Sequence, residues 1–200
     1  MSGRGPDPKS TNSYRFESTR LLIDLPKPED ARFLFEMMSG DDREAICGTL
    51  IWDGPADLTE MEEWVDRCRS SSFADFGFHW VIRDRLGEIS GDAGRPLGNI
   101  GTRPREAPGR ADVGYWLGRS YWGQGVMSEA LGALLDYGFD TLDYTKIEAD
   151  VFTHNTRGRR LVERVGMRQE GTIRSAHLKY GEWVDAALYG VLSDDRLATN

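Results

Sequence analysis

The clearest pattern in the chain is a stripe of apolar residues at helical spacing within Met127–Phe139. Met127, Ala130, Leu131, Leu134 and Leu135 recur every three or four residues, which places them on one face of a helix. Further helices are predicted from Pro28 onward, from near Leu58, and over Asn155–Val165, where Gly166 suits a left-handed cap. Shorter strand-like stretches separated by loops are Arg20–Leu25, Phe76–Arg83, Leu97–Thr102, Val113–Leu117 and Lys146–Phe152. Two final strands, at about Arg168–Lys179 and Trp183–Leu192, are predicted on either side of a hairpin turn at 180–182.

The order of these elements, β-α-α-β-β-β-α-β-α-β-β, determines the expected fold class. Strands that follow one another directly pair antiparallel, whereas a strand-helix-strand crossover gives a parallel pair. The chain is therefore expected to form a mixed α/β sheet flanked by helices. Its 200 residues suit a single domain. We place that domain at residues 14–192, between a polar N-terminal tail at 1–13 and a short C-terminal tail at 193–200.

Composition and charge exclude several classes of function. The 25 Lys and Arg residues against 33 Asp and Glu give a net charge of −8, which argues against nucleic-acid binding. Two cysteines and three scattered histidines form no metal-binding motif, so no metal is expected. Because no apolar run is long enough to cross a membrane and no apolar signal region begins the chain, a cytoplasmic location is expected.

A turn containing two glycines lies between the strand that ends at Leu117 and the helix that follows. Gly123 and Gly125 permit the positive φ of a tight turn and a close approach of a ligand to the backbone. The first N–H groups of the helix have no intrahelical partner and carry the positive end of its dipole. This combination indicates a phosphate site, although a tight connection without a ligand explains the glycines equally well. No GxxxxGK(S/T) loop occurs, and no GxGxxG fingerprint with a following acidic residue, which disfavours the common nucleotide folds.

Four stretches of sequence carry a family resemblance: STRLLI, VGYWLGRSYWGQGVMSEAL, HNTRGRRLVERVGMRQEGTIR and KYGEWVDAALYGVL. With the element order, they make the chain from Arg20 to about Leu192 resemble the GNAT superfamily of acyl-CoA N-acyltransferases. Within that superfamily the chain is most similar to the ribosomal-protein-alanine N-acetyltransferase (RimJ/RimL) branch. The resemblance implies a GNAT-like fold with a mixed, mostly antiparallel central sheet. It also implies acetyl-CoA as co-substrate and acetyl transfer to a primary amine.

The resemblance further implies how acetyl-CoA would bind. Its pyrophosphate would lie on the main-chain amides of Gly123, Gln124, Gly125, Val126 and Met127. Trp122 stands at the first position of the family signature R/Q-x-x-G-x-G/A, so the strict signature is not met. The pantetheine arm would run where the strand ending at Leu117 diverges from Lys146–Phe152. There the Leu117 N–H would donate to the thioester carbonyl.

Other contacts are implied by the segment that follows Lys146–Phe152. Asn155 matches the family pattern N-x-x-S-x-x-x-x-E and would contact the pantetheine or a bound water. Gly158 replaces its serine, whose hydroxyl protonates the leaving thiolate in some relatives. A thiol with a pKa of about 8.5 can still leave unassisted. Arg160, with Arg157 and Arg159, would reach the adenosine phosphate, although a solvated helix face explains these arginines nearly as well.

Direct attack on a thioester requires a neutral amine. A peptide α-amine titrates at about 8 and a lysine at about 10.4, so a base is needed. Asp112, at the start of a strand, is one candidate, and the alternative for it is an exposed carboxylate beside Arg110. His177, on the penultimate strand, is the other, and the alternative for it is packing or hydrogen bonding alone. We expect His79 and His154 to have structural roles.

The acceptor would enter between the first two helices and the final hairpin. Residues that would give this entrance a negative field and aromatic walls are Glu60, Glu62, Glu63, Asp66, Trp52, Trp64 and Trp183. A solvated helix face and core packing explain the same residues. Three functions stay open: acetylation of a protein N-terminal amine, acetylation of a small cationic molecule such as a polyamine or aminoglycoside, and acyl-CoA binding without catalysis. The resemblance is also compatible with a homodimer.

Overall fold

An eight-stranded sheet and six α-helices make up the fold of this computed structural model, which describes residues 14–70 and 76–197. The strands are β1 (Phe16–Glu17), β2 (Leu21–Asp24), β3 (Phe78–Asp84), β4 (Pro96–Pro104), β5 (Arg110–Leu117), β6 (Lys146–Phe152), β7 (Arg168–Lys179) and β8 (Glu182–Leu192). The helices are α1 (Asp30–Met37), α2 (Arg43–Cys47), α3 (Leu58–Ser70), α4 (Val126–Asp140), α5 (Thr156–Arg164) and α6 (Ser193–Leu197). Short 3₁₀ turns cover Gly40–Asp42 and Arg119–Tyr121.

The strands lie in the order β1-β2-β3-β4-β5-β6-β8-β7. Each neighbouring pair is antiparallel except β5 and β6, which are parallel. The connection explains the exception, because α4 carries the chain back so that β6 starts at the same end as β5. The expected mixed, mostly antiparallel sheet of the GNAT type is therefore confirmed.

The pairing between β5 and β6 stops early. Only Arg110, Ala111 and Asp112 of β5 pair with β6, opposite Lys146, Ile147 and Glu148. β5 nevertheless continues to Leu117 and β6 to Phe152. The two strands therefore diverge after Asp112, as the resemblance implied, and leave a gap inside the sheet.

The sheet separates two hydrophobic cores. The larger core packs α4 and α5 against one face, with Leu131, Leu135, Ile147 and Val162 at its centre. The smaller core packs α1, α2 and α3 against the other face, where it meets Val81 of β3 and Trp116 of β5. The apolar stripe that predicted α4 is wholly buried, which confirms that prediction. Since side chains alternate along a strand, Asp112 and Gly114 share the face of Trp116.

The C-terminal boundary differs from the prediction. Ser193–Leu197 forms α6 rather than a tail. Arg196 attaches this helix to the body of the protein by donating to the carbonyl oxygens of Gly132 (3.3 Å) and Val165 (3.4 Å) and by pairing with Asp136. These contacts join residues far apart in sequence, so the local polar pattern could not reveal them. The predicted tail at 1–13 and residues 198–200 lie outside the described residues.

Two further elements, β1 and α2, were not predicted because both are very short. Of the helices in the described ranges, none combines the length and the apolar character needed to span a bilayer.

Candidate active site

The turn before α4 has the backbone geometry that the two glycines predicted. Gly123 has a φ of 77° and Gly125, the N-cap of α4, has a φ of 76°, both in the left-handed region. The first bond of the helix runs from the Glu129 N–H to the Gly125 carbonyl at 3.0 Å. Within the described part of the chain, no hydrogen bond uses the N–H groups of residues 123–128. These donors therefore stay available at the positive end of the α4 dipole.

An ion pair holds the turn in place. Glu129, in the first turn of α4, accepts hydrogen bonds from the backbone N–H of Arg20 (2.8 Å), from its side chain (2.8 Å) and from the Ser18 hydroxyl (2.7 Å). Burial raises the pKa of Glu129, but these hydrogen bonds and the Arg20 charge outweigh burial and lower it overall. Arg20 also donates to the Gln124 carbonyl at 3.2 Å. The start of β2 thus fixes both ends of the turn.

Trp122 directly follows the 3₁₀ turn Arg119–Tyr121, and both of its N–H groups are used in hydrogen bonds. Its indole N–H donates to the Leu117 carbonyl at 3.0 Å, and its backbone N–H donates to the Arg119 carbonyl at 3.1 Å. The guanidinium of Arg157 lies over the indole, 4.6 Å from the ring centroid. Trp122 therefore shapes the turn and orients Leu117, and any contact that it makes with a ligand is through the ring.

The direction of the Leu117 N–H follows from the sheet pairing. The next residue, Gly118, donates its N–H to the Leu97 carbonyl of β4 at 2.9 Å. Since N–H groups of successive strand residues point to opposite sides, the Leu117 N–H points away from β4. It faces the gap that the divergence of β6 leaves.

Asn155 and Gly158 fit each other at the start of α5. Asn155 is the N-cap of this helix, and its side-chain oxygen accepts from the Gly158 N–H at 2.9 Å. A Cβ at Gly158 would lie 2.6 Å from the side-chain nitrogen of Asn155 and 3.0 Å from Val151. The Asn155 amide therefore occupies the space that a serine side chain at position 158 would need.

The three arginines of α5 have different surroundings. Arg159 donates to the Tyr189 hydroxyl at 3.1 Å, and Arg157 lies over Trp122. Arg160 is exposed and makes no ion pair with any residue in the described ranges. Of the three, Arg160 is thus the most available to an external phosphate.

A cleft of about 480 Å³ opens on the face of the sheet that carries α1–α3. The loop before α3, α3 itself and strands β3 to β6 surround it, so that it includes the gap between β5 and β6. The residues that line it include Leu50, Ile51, Trp52, Glu60, Trp64, Arg67, Phe76, His79, Asn99, Arg103, Asp112, Gly114, Tyr115, Trp116, Asp150, Phe152 and Asn155. Aromatic rings and carboxylates thus surround a space beside the Leu117 end of β5.

Asp112 lines the cleft and is paired with an arginine of the neighbouring strand. It is 8% exposed, and its Oδ2 accepts from Arg103 of β4 at 2.8 Å. The alternative of an exposed carboxylate beside Arg110 is therefore wrong, because Arg110 instead binds Glu148 at 2.6 Å. Arg103 and Asp112 are directly paired across β4 and β5, a register that the sequence did not specify.

His177 lies next to the cleft rather than in its lining. Its Nε2 is 3.9 Å from the Asp150 Oδ2, and its ring centroid is 5.7 Å from that of Phe152. Asp150 and Phe152 both line the cleft. The His177 Nε2 is shielded from solvent and has no hydrogen-bond partner among the described residues.

His79 lines the cleft, which the sequence analysis missed. Its Nε2 is 3.2 Å from the Phe76 carbonyl, and its ring packs on Phe76 and Trp64. Burial lowers the pKa of His79 to about 4, against a smaller opposing effect of the Phe76 carbonyl. His79 is therefore a neutral imidazole near pH 7. Strand alternation from the buried Trp80 could have placed His79 on this face.

The predicted entrance residues are only partly brought together. Trp52, Trp64 and Glu60 line the cleft. Trp183 is 65% exposed and lies outside the lining, so its prediction as a wall is wrong. Glu62, Glu63 and Asp66 are exposed on α3 and likewise do not line the cleft. No group of three or more potential metal ligands occurs in the ranges that the structure describes.

Comparisons with known proteins agree with this architecture. The acetyltransferase (GNAT) domain family matches residues 20–168. YjcK of Bacillus subtilis, named a probable N-acetyltransferase, is 34% identical over 163 residues, which span 80% of each chain. The ribosomal protein uS5-alanine N-acetyltransferase of Escherichia coli is 34% identical over 83 residues, 42% of this chain and 43% of that enzyme. A crystal structure of a GCN5-related N-acetyltransferase from Brucella melitensis has a TM-score of 0.79 at 25% identity, covering 98% of this chain and 83% of the other.

The matched range contains the turn at 123–128, the diverging strands and the N-cap of α5. Acetyl-CoA is the co-substrate typical of this family. The chain therefore belongs to the GNAT acetyltransferase family as an N-acetyltransferase, with relatives and structural neighbours in the RimJ/RimL branch.

Proposed function

We propose that the protein transfers the acetyl group of acetyl-CoA directly to the N-terminal amine of a protein, with donor and acceptor bound together. The observation that carries this proposal is the run of amides at residues 123–128 that donate to no group in the described part of the chain. This run lies close in sequence to the strand beside the gap in the sheet, and the gap opens into a cleft. The turn offers a site for a diphosphate, the gap suits an extended arm, and the cleft suits an acceptor.

The donor site would use main-chain groups. The amides of Gly123, Gln124, Gly125, Val126 and Met127 would hold the pyrophosphate at the N-terminus of α4, where no net positive charge is needed. Arg160 would reach the adenosine phosphate of CoA, and Asn155 would contact the pantetheine from the edge of the cleft. The Leu117 N–H would donate to the thioester oxygen as negative charge develops on it during attack.

Two observations bear on the base. The Asp112 carboxylate already binds Arg103 at 2.8 Å, whereas the His177 Nε2 has no hydrogen-bond partner among the described residues. This difference supports His177 as the proton acceptor and Asp112 as an electrostatic neighbour in the cleft. No metal takes part in this proposal.

A protein N-terminus is favoured as the acceptor because the Escherichia coli relative is named for that reaction. A small cationic amine is the second candidate, since Glu60, Asp112 and Asp150 all line the cleft. The third candidate is acyl-CoA binding without catalysis, which is suggested by Gly158 in the place of the family's serine. Loss of that hydroxyl does not exclude transfer, because a thiol with a pKa of about 8.5 is a tolerable leaving group.

Release of free CoA tests these alternatives in one assay. The protein is incubated with acetyl-CoA and, separately, with alanine- and serine-initiated peptides, spermidine and kanamycin. Turnover that is fastest on a peptide, and absent on the same peptide with a blocked N-terminus, is the expected result. Faster turnover on spermidine or kanamycin would support the second candidate. Tight binding of acetyl-CoA without turnover on any amine would contradict both enzymatic proposals.

A further inference from the structure

Asp150 and His177 are neighbouring side chains beside the cleft, and each carries one buried polar atom without a hydrogen bond. The Asp150 Oδ1 and the His177 Nε2 are both shielded from solvent and lack hydrogen-bond partners among the described residues. The 3.9 Å between the His177 Nε2 and the Asp150 Oδ2 is too long for a hydrogen bond. Buried polar atoms are nearly always paired, so a His177 Nε2 without a hydrogen-bond partner among the described residues, next to the Asp150 carboxylate, indicates a place where a donor binds.

The charged groups around this pair, apart from Arg105, are bound to other partners. Arg105, from the loop between β4 and β5, is nearest, with its Nη2 3.6 Å from the Asp150 Oδ1 and its side chain 38% exposed. Glu148, on the same strand, binds Arg110 at 2.6 Å. On the hairpin, Lys179 binds Asp53 at 2.6 Å, and Asp185 accepts from the Ser175 N–H at 2.8 Å. Among the described residues, Asp150 therefore has a long ion pair with Arg105 and no hydrogen-bonded cation.

We infer that Asp150 binds the ammonium group of the acceptor and that His177 removes a proton from it. An ammonium nitrogen at about 2.8 Å from both the Asp150 Oδ2 and the His177 Nε2 spans their separation without movement of either side chain. It directs one N–H to the carboxylate and another to the imidazole. This inference rests on the proposed function and adds to it the residue that selects a charged amine.

The proton balance of the step is complete. The acceptor enters as an ammonium ion, and one N–H bond breaks as the proton moves to the His177 Nε2. The neutral amine then forms a bond to the thioester carbonyl carbon, and the C–S bond breaks with its electron pair going to sulfur. The second amine proton goes to the thiolate, giving the amide and free CoA. The imidazolium, stabilised by the adjacent Asp150 carboxylate, returns its proton to water.

Steady-state kinetics of Asp150→Asn on an alanine-initiated peptide test this role. Loss of the carboxylate should raise the KM for the peptide at least about tenfold, since a charge-assisted hydrogen bond is removed. The KM for acetyl-CoA should not change. The acid limb of kcat/KM should move to lower pH, because the imidazolium loses the negative charge beside it. Asp150→Glu, which keeps the charge, should recover part of the peptide affinity.

The control is Glu88→Gln, which removes the same charge from an exposed position in the loop between β3 and β4, outside the cleft. It should leave both KM values and the pH profile unchanged. Proton NMR of the three histidines, assigned with single His→Gln variants, gives a readout besides activity. The peptide should shift the His177 signal in the wild type and not in Asp150→Asn, whereas its N-acetylated form should shift neither.

The outcomes separate the two proposals. If the wild type shows no turnover on any amine, the proposed function fails. The second case is a wild type that acetylates the peptide and an Asp150→Asn variant that circular dichroism shows to be folded. If this variant has the wild-type KM for the peptide and the wild-type acid limb of kcat/KM, Asp150 does not bind the ammonium group. A peptide shift of the His177 signal that persists in Asp150→Asn would also overturn the inference.

Discussion

Gly125 combines two conditions at the head of α4 that favour glycine. Its φ of 76° is unfavourable for a side chain, and its position as N-cap leaves the neighbouring amides pointing outward. A Cβ at this position would have the Arg20 Nη2 as its nearest neighbour, at 3.7 Å, so there is space for a methyl group. The requirement for glycine is therefore one of backbone conformation rather than of packing.

Gly125→Ala should accordingly lower the free energy of unfolding by about 1–2 kcal/mol. It should also weaken CoA binding about tenfold or more, because relief of the strain rotates the amides away from the pyrophosphate. Calorimetric titration with CoA and urea unfolding measure the two effects. Gly166→Ala is the matched control, since Gly166 has a φ of 94° and open space around it but follows α5. It should show a similar loss of stability and unchanged CoA affinity.

His79 is a residue whose burial should appear in the pH dependence of stability. Its folded-state pKa of about 4 lies below the ordinary value of 6.5, so the unfolded chain binds more protons between these values. The neutral ring is compatible with folding above pH 6.5, and stability is lost as the pH falls toward 4. The difference amounts to at most about 3 kcal/mol.

Urea unfolding of His79→Gln and of the wild type at pH 7 and pH 4.5 measures this contribution. The wild type should lose more stability than the variant over that range, because glutamine does not titrate. His154→Gln, at an exposed position, should follow the wild type. Equal pH dependence of His79→Gln and the wild type would show that the His79 ring is not buried as a neutral group.

At the scale of elements, the effect of glycine at position 158 depends on its neighbour Asn155 at the N-cap of α5. The family pattern has serine where this chain has Gly158, which suggested a lost hydroxyl. In the structure the Asn155 side chain turns back to cap Gly158 and fills that volume. The start of α5 therefore accommodates glycine at position 158, and a serine at this position would have to displace the Asn155 side chain.

Gly158→Ser should destabilise the protein by about 1–2 kcal/mol, because the new Cβ displaces Asn155 and breaks the cap. It should not increase kcat. Thermal unfolding measures the stability, and the rate of CoA release measures kcat. The third measurement is thermal unfolding of the double variant that combines Asn155→Ala with Gly158→Ser. The double variant should be less destabilised than the sum of the single ones, since removal of the Asn155 amide makes room. A Gly158→Ser protein with full stability and a higher kcat would contradict this account.

At the scale of the whole molecule, the charge of −8 and the cleft carboxylates favour a cationic acceptor. The donor site does not depend on that charge, because its donors are main-chain amides at the helix N-terminus. The proposed function is therefore compatible with an acidic protein, because its anionic co-substrate and its cationic acceptor would be bound by different groups.

Ionic strength should act differently on the two substrates. Raising NaCl from about 50 mM to about 500 mM should lower kcat/KM for a lysine-rich alanine-initiated peptide several-fold, because salt screens the attraction of the acidic surface for the peptide. A peptide of the same length with neutral side chains should show a much smaller change. Initial rates at saturating acetyl-CoA provide the measurement. Equal salt dependence of the two peptides would mean that the overall charge does not guide the acceptor.

What the sequence determined by itself was local in origin. Apolar patterns located α4 and β6, and the hairpin turn at 180–182 located β7. The connection through a helix implied the one parallel pair among the described strands. The two glycines before α4 identified the turn because positive φ is a property of the residue itself.

Tertiary structure alone decided which side chains meet. The pairing of β4 with β5 gave Asp112 its partner Arg103, and the reach of the β7–β8 hairpin brought His177 to Asp150. Burial by α3 and β4 made His79 part of the cleft, and contacts with α4 turned Ser193–Leu197 into a helix. Register, burial and contacts between distant segments depend on how complete elements pack, so no local pattern of residues encodes them.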